Sequence, residues 1–217
     1  MKYILTVEEV QTLAGMLGAE RFFGFASPSD RLEREDIVRN VVQLYQRGTL
    51  WQDDSGMHCE PRVKELMQTL VSASVATVLF LPQQAHLCCY GEGGELTVLE
   101  RIAERPEECK LYSRSLEELW QELAEEYLPE ESAVAPVAPG QIPEELDFQA
   151  SGDSEKICLQ ADIFSMDGEC RIAKGLILRE GKTYIQAFRN GENSRSADYS
   201  PEQFRQWLQR TIGGKEQ

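Results

Sequence analysis

The chain has 217 residues, 22 Lys and Arg against 37 Asp and Glu, a net charge of −15 and 41% hydrophobic residues, a balance that suits one large folded domain or two small ones. That charge opposes a phosphate backbone, because nucleic-acid affinity is built from Lys and Arg neutralising phosphates, so sequence-independent nucleic-acid binding is disfavoured. Apolar runs such as residues 75–81 fall far short of the roughly 20 residues that span a bilayer, and the start soon meets Glu8 and Glu9 with no apolar h-region, which argues against membrane insertion and classical secretion.

Thr6 and Glu9 have the spacing of a capping box, Val7, Val10, Leu13, Ala14 and Leu17 recur at helical spacing, and Gly18 supplies a stop. After the aromatic run Phe22, Phe23 and Phe25 and the turn residues Ser27, Pro28, Ser29 and Asp30, a second helix is expected to run to Arg47. Its apolar face would be Ile37, Val38, Val41, Leu44 and Tyr45, with Gly48 ending it. Leu50 and Trp51, the turn Asp53-Asp54-Ser55-Gly56, and Met57 to Cys59 read as a small hairpin. Pro61 suits the first turn of a third helix carrying Val63, Leu66, Met67 and Leu70.

Periodicity then changes. Residues 75–81, 85–90 and 95–102 are short apolar runs separated by turn residues, which reads as a meander, with a short further strand near Cys109 to Tyr112. Ser113 or Ser115 can cap a helix bearing Leu116, Leu119, Trp120, Leu123 and Tyr127. Four of the nine prolines fall in residues 129–143, which argues for an extended linker or crossing loop. The strand-to-helix order then repeats: strands over 156–164, 170–179, 183–189 and 195–199, followed by a helix opened by Ser200 and Pro201 and carrying Phe204, Trp207, Leu208 and Ile212.

The reading is an α+β fold: winged-helix-like N-terminal helices and two antiparallel meanders, each closed by a helix, forming one continuous sheet or two related sheets. Tyr112-Ser113 and Tyr199-Ser200 stand at matching places in the two units, which suggests a degenerate duplication and a pseudo-twofold arrangement. The expected division is 1–128, a linker or crossing loop at 129–150, and 151–217, the last able to join the first in one compact domain. Acidity is uneven: residues 1–132 carry 12 basic and 24 acidic side chains, residues 133–217 carry 10 and 13, and the Glu-rich stretch 117–131 reads as a solvated helix face running into the linker.

Little in the chain points to catalysis. The six cysteines, Cys59, Cys88, Cys89, Cys109, Cys158 and Cys170, form no paired metal-ligand spacing, and Cys88 and Cys89 would point to opposite faces of a strand. Reduced, mostly buried thiols in a cytoplasm are the expectation, with neither metal nor cofactor. No family signature surrounds a cysteine beside His58 or His86, and Gly91 to Gly94 lacks the Lys-Ser/Thr of a phosphate loop. Residues 31–70 have the order of a winged helix, but the third helix begins Glu60-Pro61-Arg62 and the wing tip is Asp53-Asp54, so the similarity is read without DNA function.

The order of a helix over 7–17, an aromatic patch, a helix ending in Leu44-Tyr45-Gln46-Arg47-Gly48-Thr49-Leu50, a hairpin, the helix over 61–70 and then two sheet-and-helix units resembles the EspG-like proteins of type VII (ESX) secretion. The resemblance covers most of the chain and carries no substrate-contact motif. It implies a cytosolic, non-enzymatic, pseudo-twofold chaperone or adaptor that holds helical secretion substrates, Pro-Glu and Pro-Pro-Glu proteins or other helical partners, soluble before export. An unrelated protein-interaction module and an acidic winged-helix regulator are the alternatives. Tyr184, Gln186 and Phe188 alternate onto one face of a strand, a mix that suits partner binding; packing of Tyr184 and Phe188 under the closing helix is the competing reading.

Overall fold

The computed structural model describes residues 1–19, 32–81, 86–91, 94–128, 157–166, 170–180, 183–191 and 193–212. The aromatic run at 22–25, the turn at 27–30 and the Pro-rich stretch at 129–150 lie outside them.

A short strand, β1 (Tyr3–Thr6), leads directly into α1 (Val7–Met16). The Thr6 hydroxyl accepts from the Glu9 amide at 3.0 Å, and the Glu9 carboxylate accepts from the Thr6 amide at 2.8 Å, so two otherwise orphaned donors are satisfied. Gly18 then takes φ +87, a left-handed value that a side chain would strain. The second helix, α2 (Arg34–Gln46), packs on α1 through Asn40 and Leu44, where the Asn40 amide donates to the Thr12 hydroxyl at 3.1 Å. The hairpin β2 (Leu50–Asp53) and β3 (Gly56–Cys59) follows, then α3 (Pro61–Ser72) with Val63, Leu66, Met67 and Leu70 all buried.

The apolar face expected for α2 needs correction. Ile37 and Val38 are 41% and 56% exposed, and Val42 is 48% exposed. Apolar residues occupy more of this helix than one neighbour can cover, and the side that turns inward is the one carrying buried Leu44 and the Asn40 to Thr12 hydrogen bond.

The first meander is β4 (Val75–Phe80), β5 (His86–Tyr90), β6 (Glu95–Ile102) and β7 (Arg105–Ser115), closed by α4 (Leu116–Glu126). The fourth strand is therefore much longer than the short piece expected near Cys109. The cap is Ser115, which forms a full capping box with Glu118. The second unit is β8 (Ile157–Ser165), β9 (Cys170–Glu180), β10 (Thr183–Asn190), β11 (Asn193–Asp198) and α5 (Pro201–Ile212).

The two meanders form one sheet. Its nine strands run β1-β7-β6-β5-β4-β8-β9-β10-β11, every neighbouring pair being antiparallel. Each meander grows outward from the central β4–β8 pair, which is the order a twofold axis through that pair generates.

One core covers both units on the helix α4 and α5 side. It joins Leu79, Cys89, Val98 and Tyr112 to Leu119, Trp120 and Leu123, and continues through Leu159, Ile163, Ile177 and Phe188 to Phe204 and Trp207. The opposite face of the first unit carries a second core, in which α1 and α3 lay Val10, Leu13, Leu66 and Met67 over Cys88, Tyr90, Leu99 and Leu111. Each such fully buried side chain contributes about 1.5–3 kcal/mol of transfer free energy. On that face of the second unit the described residues form only a small cluster, Leu176, Leu178 and Ala187 with Ile157. No helix among the described residues is long and apolar enough to cross a membrane.

Candidate protein-binding surfaces

Pro201 in the first turn of α5 and the Ser200 hydroxyl, which accepts from the Gln203 amide at 3.3 Å, start the helix beside the end of β11. Phe204, Trp207, Leu208 and Ile212 then fall on one stripe and are buried. The helix lies close to β9 because residue 175 is glycine: a Cβ there would sit 2.4 Å from Cζ3 of Trp207. Phe188 is wedged against Phe204 and Trp207, with ring centroids 5.4 and 5.0 Å away, and the Trp207 indole N–H donates to Asn190 Oδ1 at 3.2 Å.

Between α5 and the outer strands this arrangement leaves a cleft of about 620 Å³. Phe188 and Trp207 supply its apolar wall, Asn190, Gln203 and Gln206 its amides, and Arg195 and Arg210 its positive charge. The Arg195 guanidinium lies 5.2 Å from the centroid of the Phe188 ring, a cation–π contact. Seven other arginines, Arg39, Arg47, Arg62, Arg105, Arg114, Arg171 and Arg205, lie within 4.0 Å of a carboxylate. Arg195 and Arg210 have no such partner among the described residues.

Of the three strand residues singled out from the sequence, Phe188 lines this cleft. Gln186 is fully buried beneath the start of α5, where its amide donates to Gln203 Oε1 at 2.9 Å and its carbonyl accepts from the Ser200 amide at 3.3 Å. Tyr184 is half-buried and meets Tyr199 edge-on at 6.5 Å. Sequence reasoning missed Arg195 and Arg210. The available signal was Gln203, Gln206 and Arg210 recurring at helical spacing beside the aromatic stripe, but their meeting with Arg195 depends on how α5 crosses the sheet.

A second surface is the outward side of α2, where Ile37, Val38 and Val42 are exposed at helical spacing.

Two groupings that invite a catalytic reading have the wrong geometry for it. At the hairpin, His58 Nε2 lies 2.9 Å from both the Ser55 hydroxyl and Asp53 Oδ1. A relay needs the imidazole to bridge base and nucleophile through its two different nitrogens, whereas here one nitrogen faces both. Asp53 also accepts from the Ser55 amide at 2.8 Å, which makes it a turn residue. Hydrogen bonds from Ser55 and His58 lower its pKa to about 2. The thiols of Cys88 and Cys109 are pushed up to about 12, chiefly by burial, which removes thiolate character. Cys88 and Cys89 do face opposite cores, and the five cysteines whose side chains are described are free thiols. No group of three or more His, Cys, Asp or Glu side chains able to hold a metal occurs among the described residues.

No protein-family model and no curated protein matches the sequence. A solved structure does match: the Mycobacterium tuberculosis type VII secretion system chaperone EspG5, in complex with the PE25-PPE41 dimer, with a TM-score of 0.62 at 9% sequence identity. The fold is similar to that of EspG5. Since the likeness covers 98% of this chain and 95% of EspG5, it includes both sheet-and-helix units and the N-terminal helices.

Proposed function

We propose that this protein is a non-enzymatic cytosolic chaperone or adaptor that holds a helical substrate of a type VII-like secretion system. The observation that carries the reading is the likeness to EspG5 along nearly the whole chain, EspG5 being a chaperone whose structure contains a protein dimer. The exposed pair Val38 and Val42, four residues apart with exposed Ile37 beside them, supports it, because apolar residues at that spacing form a ridge that a partner helix can pack against. The net charge of −15 keeps such a carrier soluble and opposes nucleic acid.

Co-expression with small helical proteins encoded beside it, followed by size exclusion at low and high salt, tests the reading. Stoichiometric co-elution that survives high salt is expected, since screening weakens exposed charge pairs far more than apolar contact. The double variant Val38→Glu and Val42→Glu should abolish co-elution without moving the thermal midpoint. Absence of any complex, with tight binding of duplex DNA at physiological salt, would favour the winged-helix regulator instead.

A further inference from the structure

The twofold order of the sheet gives its two outer strands matching positions, but they end differently. The outer edge of β7 is closed by β1, with Tyr3 opposite Leu111 and Thr6 opposite Glu108. The outer edge of β11 has no strand beside it among the described residues. An open edge presents a row of backbone donors and acceptors that pairs readily with an added segment. Beside this edge, over β9 to β11, lies the cleft with Arg195 and Arg210, two cations that have no carboxylate partner among the described residues, in a chain where acidic residues outnumber basic ones 37 to 22.

We infer that β11 and the adjoining cleft take up an extended acidic segment of a partner protein, which adds to the sheet as a strand in the place that β1 fills on the other side. Every second residue of the added strand faces the cleft, where a Glu or Asp meets Arg195 or Arg210 and its methylenes lie along Phe188. The intervening residues lie beside Ser194 and Ser196, whose register places them on the opposite face from Arg195, so small polar side chains suit them. This surface is separate from the α2 row, and the inference does not depend on a helical substrate binding there.

The probe is a fluorescein-labelled, acetylated peptide of five Glu-Thr repeats, and the readout is fluorescence polarisation with the full chain. Binding is expected, weakening severalfold between 50 and 300 mM salt, as exposed charge pairs do. Reversal of both cations (R195E with R210E) should weaken it at least about tenfold without changing the thermal midpoint, since both side chains are exposed. The same peptide N-methylated at alternate residues keeps its charge but loses backbone pairing, and should also bind at least about tenfold more weakly. Equal affinity for the N-methylated peptide, or an R195E/R210E variant that binds as well as the parent, would overturn the inference. So would pairing of two copies of this chain through β11 with no uptake of peptide. If the peptide fails while a helical partner still co-elutes, only this inference falls; if the peptide binds and no helical partner does, the chaperone reading falls alone.

Discussion

The two sheet-and-helix units share strand order and a closing helix but are covered differently. The first is packed on both faces, by α4 on one side and by α1 and α3 on the other, and its edge is sealed by β1. The second is closed by α5 on one face, with a three-residue cluster on the other and an open β11 edge among the described residues. The first unit is thus covered on both faces and along its edge, whereas the second presents, among the described residues, an open strand edge, an aromatic cleft and two arginines without carboxylate partners. Among the described residues the asymmetry lies in β1 and the helices α1 and α3, which cover the first unit and have no counterpart on the second.

The largest expected effect sharpens that comparison at the shared core. Trp120 stacks on Phe204 at 6.0 Å across the two units, so Trp207→Ala, costing about 3–5 kcal/mol, should lower a single thermal transition for the whole chain. Two separate transitions by calorimetry would break the idea that both units melt together. Gly175→Ala is next: the new methyl collides with the Trp207 ring and should cost about 1–3 kcal/mol by chemical denaturation. Combining it with Trp207→Ala should be markedly less harmful than the sum of the two, because the collision disappears.

The helix caps differ in the same direction. Ser115→Ala removes a reciprocal box at α4 and should cost about 1 kcal/mol, whereas Ser200→Ala removes one longer 3.3 Å bond at α5 and should cost less, about 0.5 kcal/mol. Equal losses in urea denaturation would show that the two closing helices are held alike. The smallest effect is at the hairpin. The folded pKa of Asp53 is depressed to about 2, so its contribution to stability is fully present above the unfolded value of about 3.9 and is lost as pH falls through about 2. An NMR titration of its carboxyl carbon should have its midpoint near 2; an ordinary midpoint would mean the bonds to Ser55 and His58 do not form.

What the sequence reveals and hides follows from the range of the forces. Thr6 with Glu9, Ser115 with Glu118, Pro61 and Ser200 announce helix starts because capping acts within four residues. The meander strands are legible from apolar runs broken by turn residues. By contrast, β1 is four residues long and exists because β7 pairs with it. The length of β7 is masked by Arg105, Glu107, Glu108 and Lys110, charges that break the apolar pattern although the strand pairs with both β1 and β6. The inward side of α2 is set by contacts to α1, Asn40 to Thr12 and Arg39 to Glu8 among them, and the joining of two meanders rests on pairing between distant segments. Arg195 and Arg210 line one cleft only because α5 packs across the sheet.

The β4–β8 pair also has a consequence in time. Val75–Phe80 is the central strand of the finished sheet, yet its partner, pairing Phe80 with Gln160 and Val75 with Ser165, is made roughly 80 residues later. At ribosomal speeds of about 5–20 residues per second, the nascent chain carries an apolar, unpaired β4 edge for roughly 4–16 s. During that interval the half-made protein is itself a molecule with an exposed strand, open to pairing with other chains on the same polysome.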